Sequence, residues 1–373
     1  MGGKVFAALN APRMAPVLYQ RMTQECQSKL KVFFAKVVVP RDAPNKPDHG
    51  DIDFLVGGVL TPFRGVDLWK CVEGALGAEY RIARGESQSY AIPHPEVEDA
   101  YIQVDVELAP GDATLGANDL FEWTKFMKGD ADLVQIIGIT HRTLGLVCND
   151  RGLHLRIEEI EPYDKKKALI FLTREPDRAI RFYDFNVDKY RQGFQTENEI
   201  FDWIAAGRFF SPQVFEKRVE KADDRSRKRK RPMYRNFVDN YMTDQHRVIS
   251  KVWTRQEVLH EAIEEFDVKD EYDEKISAHR AEELEDQLWR DIKDVLPQSD
   301  KSRKSTIKAL RRWVTFEHSQ PVISDRPFPT VQPQWSQFVD ESTRKDVLAW
   351  VEQNWQEVNR RNQTHEENKV HSW

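Results

Sequence analysis

Two aspartates one residue apart open an apolar run, Gly50-Asp51-Ile52-Asp53-Phe54-Leu55-Val56. On a strand, side-chain direction repeats every two residues, so Asp51 and Asp53 point to one face while Ile52 and Phe54 point to the other. Two carboxylates aimed together repel unless a cation neutralises them. A third acid stands in Tyr101-Ile102-Gln103-Val104-Asp105-Val106, where Asp105 is flanked by Val104 and Val106. If the two runs lie side by side, Asp51, Asp53 and Asp105 form one cluster. Three carboxylates make a hard, oxygen-only site suited to Mg²⁺ or Mn²⁺. Two such ions can clamp the attacking and leaving oxygens of a phosphoryl displacement. The plainer reading is that an Asp-x-Asp pair at a strand start is a solvated edge or a turn.

The loop before the pair, Pro40–Gly50, carries further polar candidates. Arg41 and Lys46 could contact phosphates, and His49 could touch a nucleotide or a metal-bound group. Each could equally be ordinary loop surface. Arg81, Arg84, Lys125 and Lys128 lie around the same runs in sequence and have the same two readings, and Ser87 or Ser89 could supply a hydroxyl. Neither GxGxxG nor GxxxxGK[ST] occurs, which argues against Rossmann and P-loop chemistry.

The densest cationic stretch is Arg225–Arg231 (RSRKRKR). Its mutual repulsion favours exposure unless it meets phosphates. Arg227, Lys228, Arg229, Lys230 and Arg231 therefore have three readings: an RNA-backbone contact, a nuclear localisation signal, or a charged helix end. Tyr234, Phe237, Tyr241 and Trp253 could stack on bases, although their spacing fits core packing on a helix face better.

GDIDFLV followed by YIQVDVEL resembles the nucleotidyltransferase superfamily typified by DNA polymerase β, poly(A) polymerases and CCA-adding enzymes. The likeness runs in particular to nucleotidyltransferase-like proteins of fungi and large phages, in which a Gly-Asp-hydrophobic-Asp strand precedes a Gln-hydrophobic-Asp strand. It covers about residues 13–110, and 110–250 loosely. The resemblance implies that Asp51 and Asp53 are the metal-binding pair, with Gly50 beside them. It implies that Asp105 is the third carboxylate, which in the family helps activate the acceptor hydroxyl. The expected activity is transfer of a nucleoside monophosphate from an NTP to a hydroxyl, with an RNA 3′ end as the favoured acceptor. The Gly-Ser that in the family precedes the first strand is replaced by VVVPRDAPNKPDH. That departure supports the opposing expectation, a binding or scaffold protein that kept the fold without turnover.

These residues must be held by elements that the pattern also indicates. Residues 13–30 read as an amphipathic helix, Val32–Val39 as a buried strand, and Asp51–Val56 as a second strand ending at Gly57-Gly58. A helix over 65–76 and strands at Glu79–Ala83, Gln88–Pro93 and Ala100–Leu108 complete a small mixed α/β sheet. Helices over 117–128 and 131–146, a hairpin over 146–157 and a strand at Lys167–Thr173 follow. Helical patterns cover 195–206, 214–230, 234–266, 272–295, 301–316 and 338–360. A proline-broken segment runs from Pro321 to Pro333, and the last dozen residues look frayed. The fold class expected is α/β (α+β): a nucleotidyltransferase-like domain over 1–115, a helical and hairpin substrate-groove region over 116–270, and a helical extension over 271–373.

The 373 residues are 40% hydrophobic and 32% charged, enough for a real core beneath a highly charged surface. The net charge of −6 means that any nucleic-acid site must be a local patch. Three widely spaced cysteines, Cys26, Cys71 and Cys148, give neither a disulfide framework nor a four-thiolate zinc site. The longest apolar runs, such as Leu133–Ile139, fall far short of the ~20 residues of a membrane helix. The first residues lack the apolar core of a secretory signal, so a place in the nucleus or cytoplasm is expected.

Overall fold

The computed structural model describes residues 5–64, 66–212, 222–242, 251–296, 300–328 and 334–370. The architecture is mixed α/β, with a five-stranded mixed sheet and a helical carboxy-terminal region. Two compact units are present, Met1–Lys269 and Asp270–Trp373. The sheet region and the helices that follow it to residue 269 share the first unit.

Helix α1 (Pro16–Leu30) starts at a proline, whose fixed φ suits a first helical turn. Strands β1 (Phe34–Val38) and β2 (Asp51–Val59) follow, and then α2 (Leu68–Leu76). Asp67 caps α2 through the Lys70 amide, and Gly77 ends it at φ 73°, a left-handed position that suits a residue without Cβ. Strands β3 (Tyr80–Arg84), β4 (Ser87–Pro93) and β5 (Tyr101–Leu108) complete the sheet, in the order β1-β2-β5-β4-β3. All neighbours are antiparallel except β2 and β5, which run parallel.

One face of this sheet is packed as core over β2 and β5. Ile52, Phe54 and Val56 of β2, with Ile102, Val104 and Val106 of β5, pack on Leu18, Met22, Cys26 and Leu30 of α1 and on Val72 and Leu76 of α2. The other face is only part covered. Helix α3 (Ala117–Lys128) lays Phe121 on Leu55 and Ala109 at one end of the strands. Gly57 allows that approach: a Cβ there would lie 2.8 Å from the Phe121 ring. The strand therefore runs through Gly57-Gly58 to Val59 rather than stopping at the glycines, which serve close packing inside it.

The remainder of the unit holds α4 (Leu133–His141), a three-stranded sheet of β6 (Leu146–Asn149), β7 (Gly152–Arg156) and β8 (Leu169–Thr173), and helices α5 (Pro176–Phe182), α6 (Val187–Gln192) and α7 (Glu197–Ala205). Helix α8 (Ala222–Lys230) carries most of the basic run. A short helix, Pro232–Asn236, then passes into a π-helical turn at Phe237–Tyr241. A helix over Arg255–Phe266 opens on a Thr254–Glu257 capping box. Residues 213–221, where the expected helix over 214–230 begins, lie outside the described residues.

The carboxy-terminal unit is built from helices Lys269–Val295, Asp300–Trp313 and Glu341–Val370. Leu288, Trp289, Ile292, Leu310, Trp313, Trp335, Val347, Val351 and Val358 form its core. The helix expected to reach residue 316 stops at Trp313, where Val314–Glu317 and Gln320–Ile323 pair as a hairpin. Its two turn residues, His318 and Ser319, both have positive φ (50° and 63°). The last helix continues to Val370, past the expected end. Trp313 Nε1 donates to Asn362 Oδ1 at 3.1 Å, which ties down part of the stretch expected to fray.

Candidate metal centre

The parallel pairing of β2 with β5 sets Asp53 directly opposite Asp105 and Asp51 opposite Gln103. Because Ile52 and Phe54 are committed to the core, all three aspartates share the face that α3 only part covers. One carboxylate oxygen from each of Asp51, Asp53 and Asp105 lies within 4.8 Å of the others, a spacing that fits a metal ion. Strand β1 ends at Val38, opposite Leu55, so it does not flank β2 at the acid pair.

The electrostatics show the cost of this arrangement without a cation. The Asp53 side chain reaches solvent, yet protein atoms crowd it on its other sides. That crowding, with Asp51 and Asp105 adding to it, pushes its pKa up to about 7, while Lys128 pulls the other way. Burial also raises Asp105, against hydrogen bonds from Ser89 and Gln103 that favour its charged form. Gln103 Nε2 donates to both Asp105 oxygens, at 3.1 and 2.9 Å, while Gln103 Oε1 accepts from the Val5 amide at 3.0 Å. Asp105 is thus held in place from two neighbouring positions on the sheet. The Ser89 hydroxyl is given to Asp105, its cross-strand partner from β4.

The loop residues fall into different roles. His49 is buried, and its backbone exchanges two hydrogen bonds with Met14, at 2.7 and 2.9 Å. Its ring stacks on Tyr19 with centroids 3.7 Å apart, and its Nδ1 lies 3.3 Å from Asp42. That contact is too poorly aligned to count as a hydrogen bond, and burial lowers the imidazole pKa. Gly50 is buried next to it. Lys46 pairs with Asp42 at 2.5 Å. Arg41 donates to Asp130 Oδ2 at 2.7 Å and to the Tyr190 carbonyl at 2.6 Å, and its guanidinium lies over the Tyr190 ring. Both loop cations expected to meet phosphates are therefore engaged by the protein itself.

Lys128 forms an ion pair with Glu107 at 2.8 Å on the acid face. Arg84 acts on Asp105 electrostatically. Arg81 pairs instead with Glu73, and Lys125 with Glu122. Tyr19 and Asp42 escape sequence reading. Burial, and after it the charges of Asp42, Asp53 and Asp51, push the Tyr19 hydroxyl up to about 12, while its ring stacks on His49 just before the acid pair. A tyrosine on an amphipathic helix gives no signal of that position.

The basic run is partly tied down. Arg231 donates to the buried Asp132 at 2.6 Å, where the Tyr234 amide also donates, and Lys228 pairs with Asp239 at 2.6 Å. Arg227 is half-buried, whereas Arg229 and Lys230 are exposed. Tyr234, Phe237 and Tyr241 are buried and take no part in an exposed stacking platform. Among the described residues, no helix is long and apolar enough to cross a membrane. No protein-family model matches the chain, and no curated protein is similar enough to it to count as a match.

Proposed function

We propose that this chain is a metal-dependent nucleotidyltransferase that moves a nucleoside monophosphate from an NTP to a hydroxyl, with an RNA 3′ end as acceptor. The observation that carries the reading is the register of β2 on β5. It converges three carboxylates on the open part of a sheet face whose opposite side is packed as core. Asp51 and Asp53 would hold Mg²⁺ or Mn²⁺, and Asp105, oriented by Ser89 and Gln103, would complete the set. When bound, two such ions would neutralise charge on the transferring phosphoryl group and make the acceptor hydroxyl more acidic. Lys128 adds positive potential at the same face.

The test is incubation of the purified chain with each labelled NTP, Mn²⁺ or Mg²⁺ and short RNAs. Label joined to RNA in the wild type, and lost in Asp53→Asn, is the expected result. A second reading, a metal-binding protein without turnover, is favoured by the internal ion pairing of Lys46 and Arg41 in place of a Gly-Ser phosphate cradle. Metal binding with no transfer for any NTP would select it.

A further inference from the structure

The helix Asp300–Trp313 carries six Lys and Arg against one Asp. It belongs to the same unit as Lys269–Val295, a helix with ten acids against five bases. Charges of opposite sign within one unit would be expected to pair, and some do. Arg312 pairs with Glu366 and also donates to Asn362, while Arg303 donates to the neutral Leu296 carbonyl. Three cations do not. Lys304, Lys308 and Arg311 are exposed, and among the described residues none has a carboxylate within ion-pair distance.

Their spacing, i, i+4 and i+7, puts them on one face of the helix. At 1.5 Å rise per residue the row is about 10 Å long. The opposite face, Thr306, Ala309, Leu310 and Trp313, is buried in the unit's core. Arg311 is further fixed by stacking 4.4 Å above the Trp289 ring. The row is therefore a rigid cationic edge.

We propose that the Lys304–Lys308–Arg311 edge binds the phosphate backbone of a nucleic acid strand. A row of unpaired cations on a rigid helix suits regularly repeating phosphates. A protein partner would want an apolar centre to its interface, and this helix exposes no large apolar side chain. Insertion into a membrane surface needs a free apolar face, and this one is used in the core. The inference extends the acceptor part of the proposed function and is separable from its chemistry.

The experiment measures binding of the full chain to labelled single-stranded RNA and DNA at 50 and 200 mM salt, in the wild type and in an Asp53→Asn background. Three phosphate contacts at a log–log slope of about 0.7 each make binding about twentyfold weaker across that range. Lys304→Gln with Lys308→Gln should weaken binding and remove about 1.4 from the slope, equally in both backgrounds. Lys304→Arg with Lys308→Arg should leave both unchanged. A preference for RNA over DNA at equal length identifies the strand used. Unchanged affinity in the glutamine pair overturns the proposal. Equal loss in the arginine pair also does, because packing and not charge would then be responsible. Adsorption to anionic phosphatidylserine vesicles without oligonucleotide binding would assign the edge to a membrane instead. Binding lost in the glutamine pair with transfer intact on a very short acceptor would separate this surface from the catalytic site.

Discussion

Asp53 and Asp105 face each other across a parallel strand pair, each from a strand whose other side is buried in the same core. The core fixes both strands, so the two Cβ atoms stay side by side whatever rotamer each carboxylate adopts. The repulsion between them is built into the sheet and is relieved by a proton or by a cation.

Mn²⁺ or Mg²⁺ should therefore raise the melting temperature, more so with an NTP present, since a ligand that binds only the native state stabilises it. Asp53→Asn should remove most of the shift. Thermal scans of both proteins with and without metal check this, and an equal shift in the variant would take the acids out of the site.

Without metal, the contribution of Asp53 to stability should fall as pH rises from about 4 to about 7. The folded pKa of Asp53, about 7, lies above its ordinary 3.8, so the native state holds the extra proton in this window and loses that advantage as pH rises. Metal affinity should move the opposite way, increasing as that proton leaves. Melting curves in chelator at several pH values read the first effect as the difference between wild type and Asp53→Asn, since other titrating groups such as the buried His141 are common to both.

Asp51→Ala and Asp105→Ala should each abolish nucleotide transfer while preserving the fold, because both substitutions reduce carboxylate repulsion on an open face. The transfer assay run beside circular dichroism separates the two effects. Wild-type rates in both variants would place the chemistry elsewhere.

Gly57→Ala should cost about 1–3 kcal/mol by overpacking, because its methyl group would meet the Phe121 ring and push α3 from the sheet. Denaturant midpoints measure the loss. Gly74→Ala is the control, since a Cβ there has nothing within 4 Å.

Arg231→Gln should destabilise the chain by about 1–2 kcal/mol, a value set between exposed and buried pairs, because it leaves the buried Asp132 carboxylate with one partner fewer. Changing the exposed Arg229 and Lys230 to Gln should leave the midpoint where it is. Equal effects from the two changes would mean that Arg231 contributes no more than a surface charge.

The five strands of the main sheet were legible because β2 and β5 alternate or run apolar over long stretches between clear turn formers. The acid pair was legible for the same reason, since period two alone puts Asp51 and Asp53 on one face. What the sequence could not carry was partnership. Nothing in Arg41 announces Asp130, and nothing in Tyr19 announces His49, because these contacts join distant parts of the chain through the fold. The Lys46–Asp42 pair is local, but an irregular loop has no fixed spacing from which to read it. The hairpin after Trp313 was missed because its turn uses His318-Ser319 where Asn-Gly is the usual sign of two positive φ values. Gly57-Gly58 read as a stop because a glycine that makes room for a ring looks, in one dimension, like one that breaks a strand.

The parallel course of β2 and β5 also bears on how the site comes into being. Between Asp53 and Asp105 the chain must lay down α2, β3 and β4, and β5 must then insert between β2 and β4. No local segment holds the three acids, so the metal has nothing to gather until that non-local pairing is made. Ions can slow the loss of the finished sheet but have little to offer its nucleus, and on this topology they should change the unfolding rate far more than the folding rate.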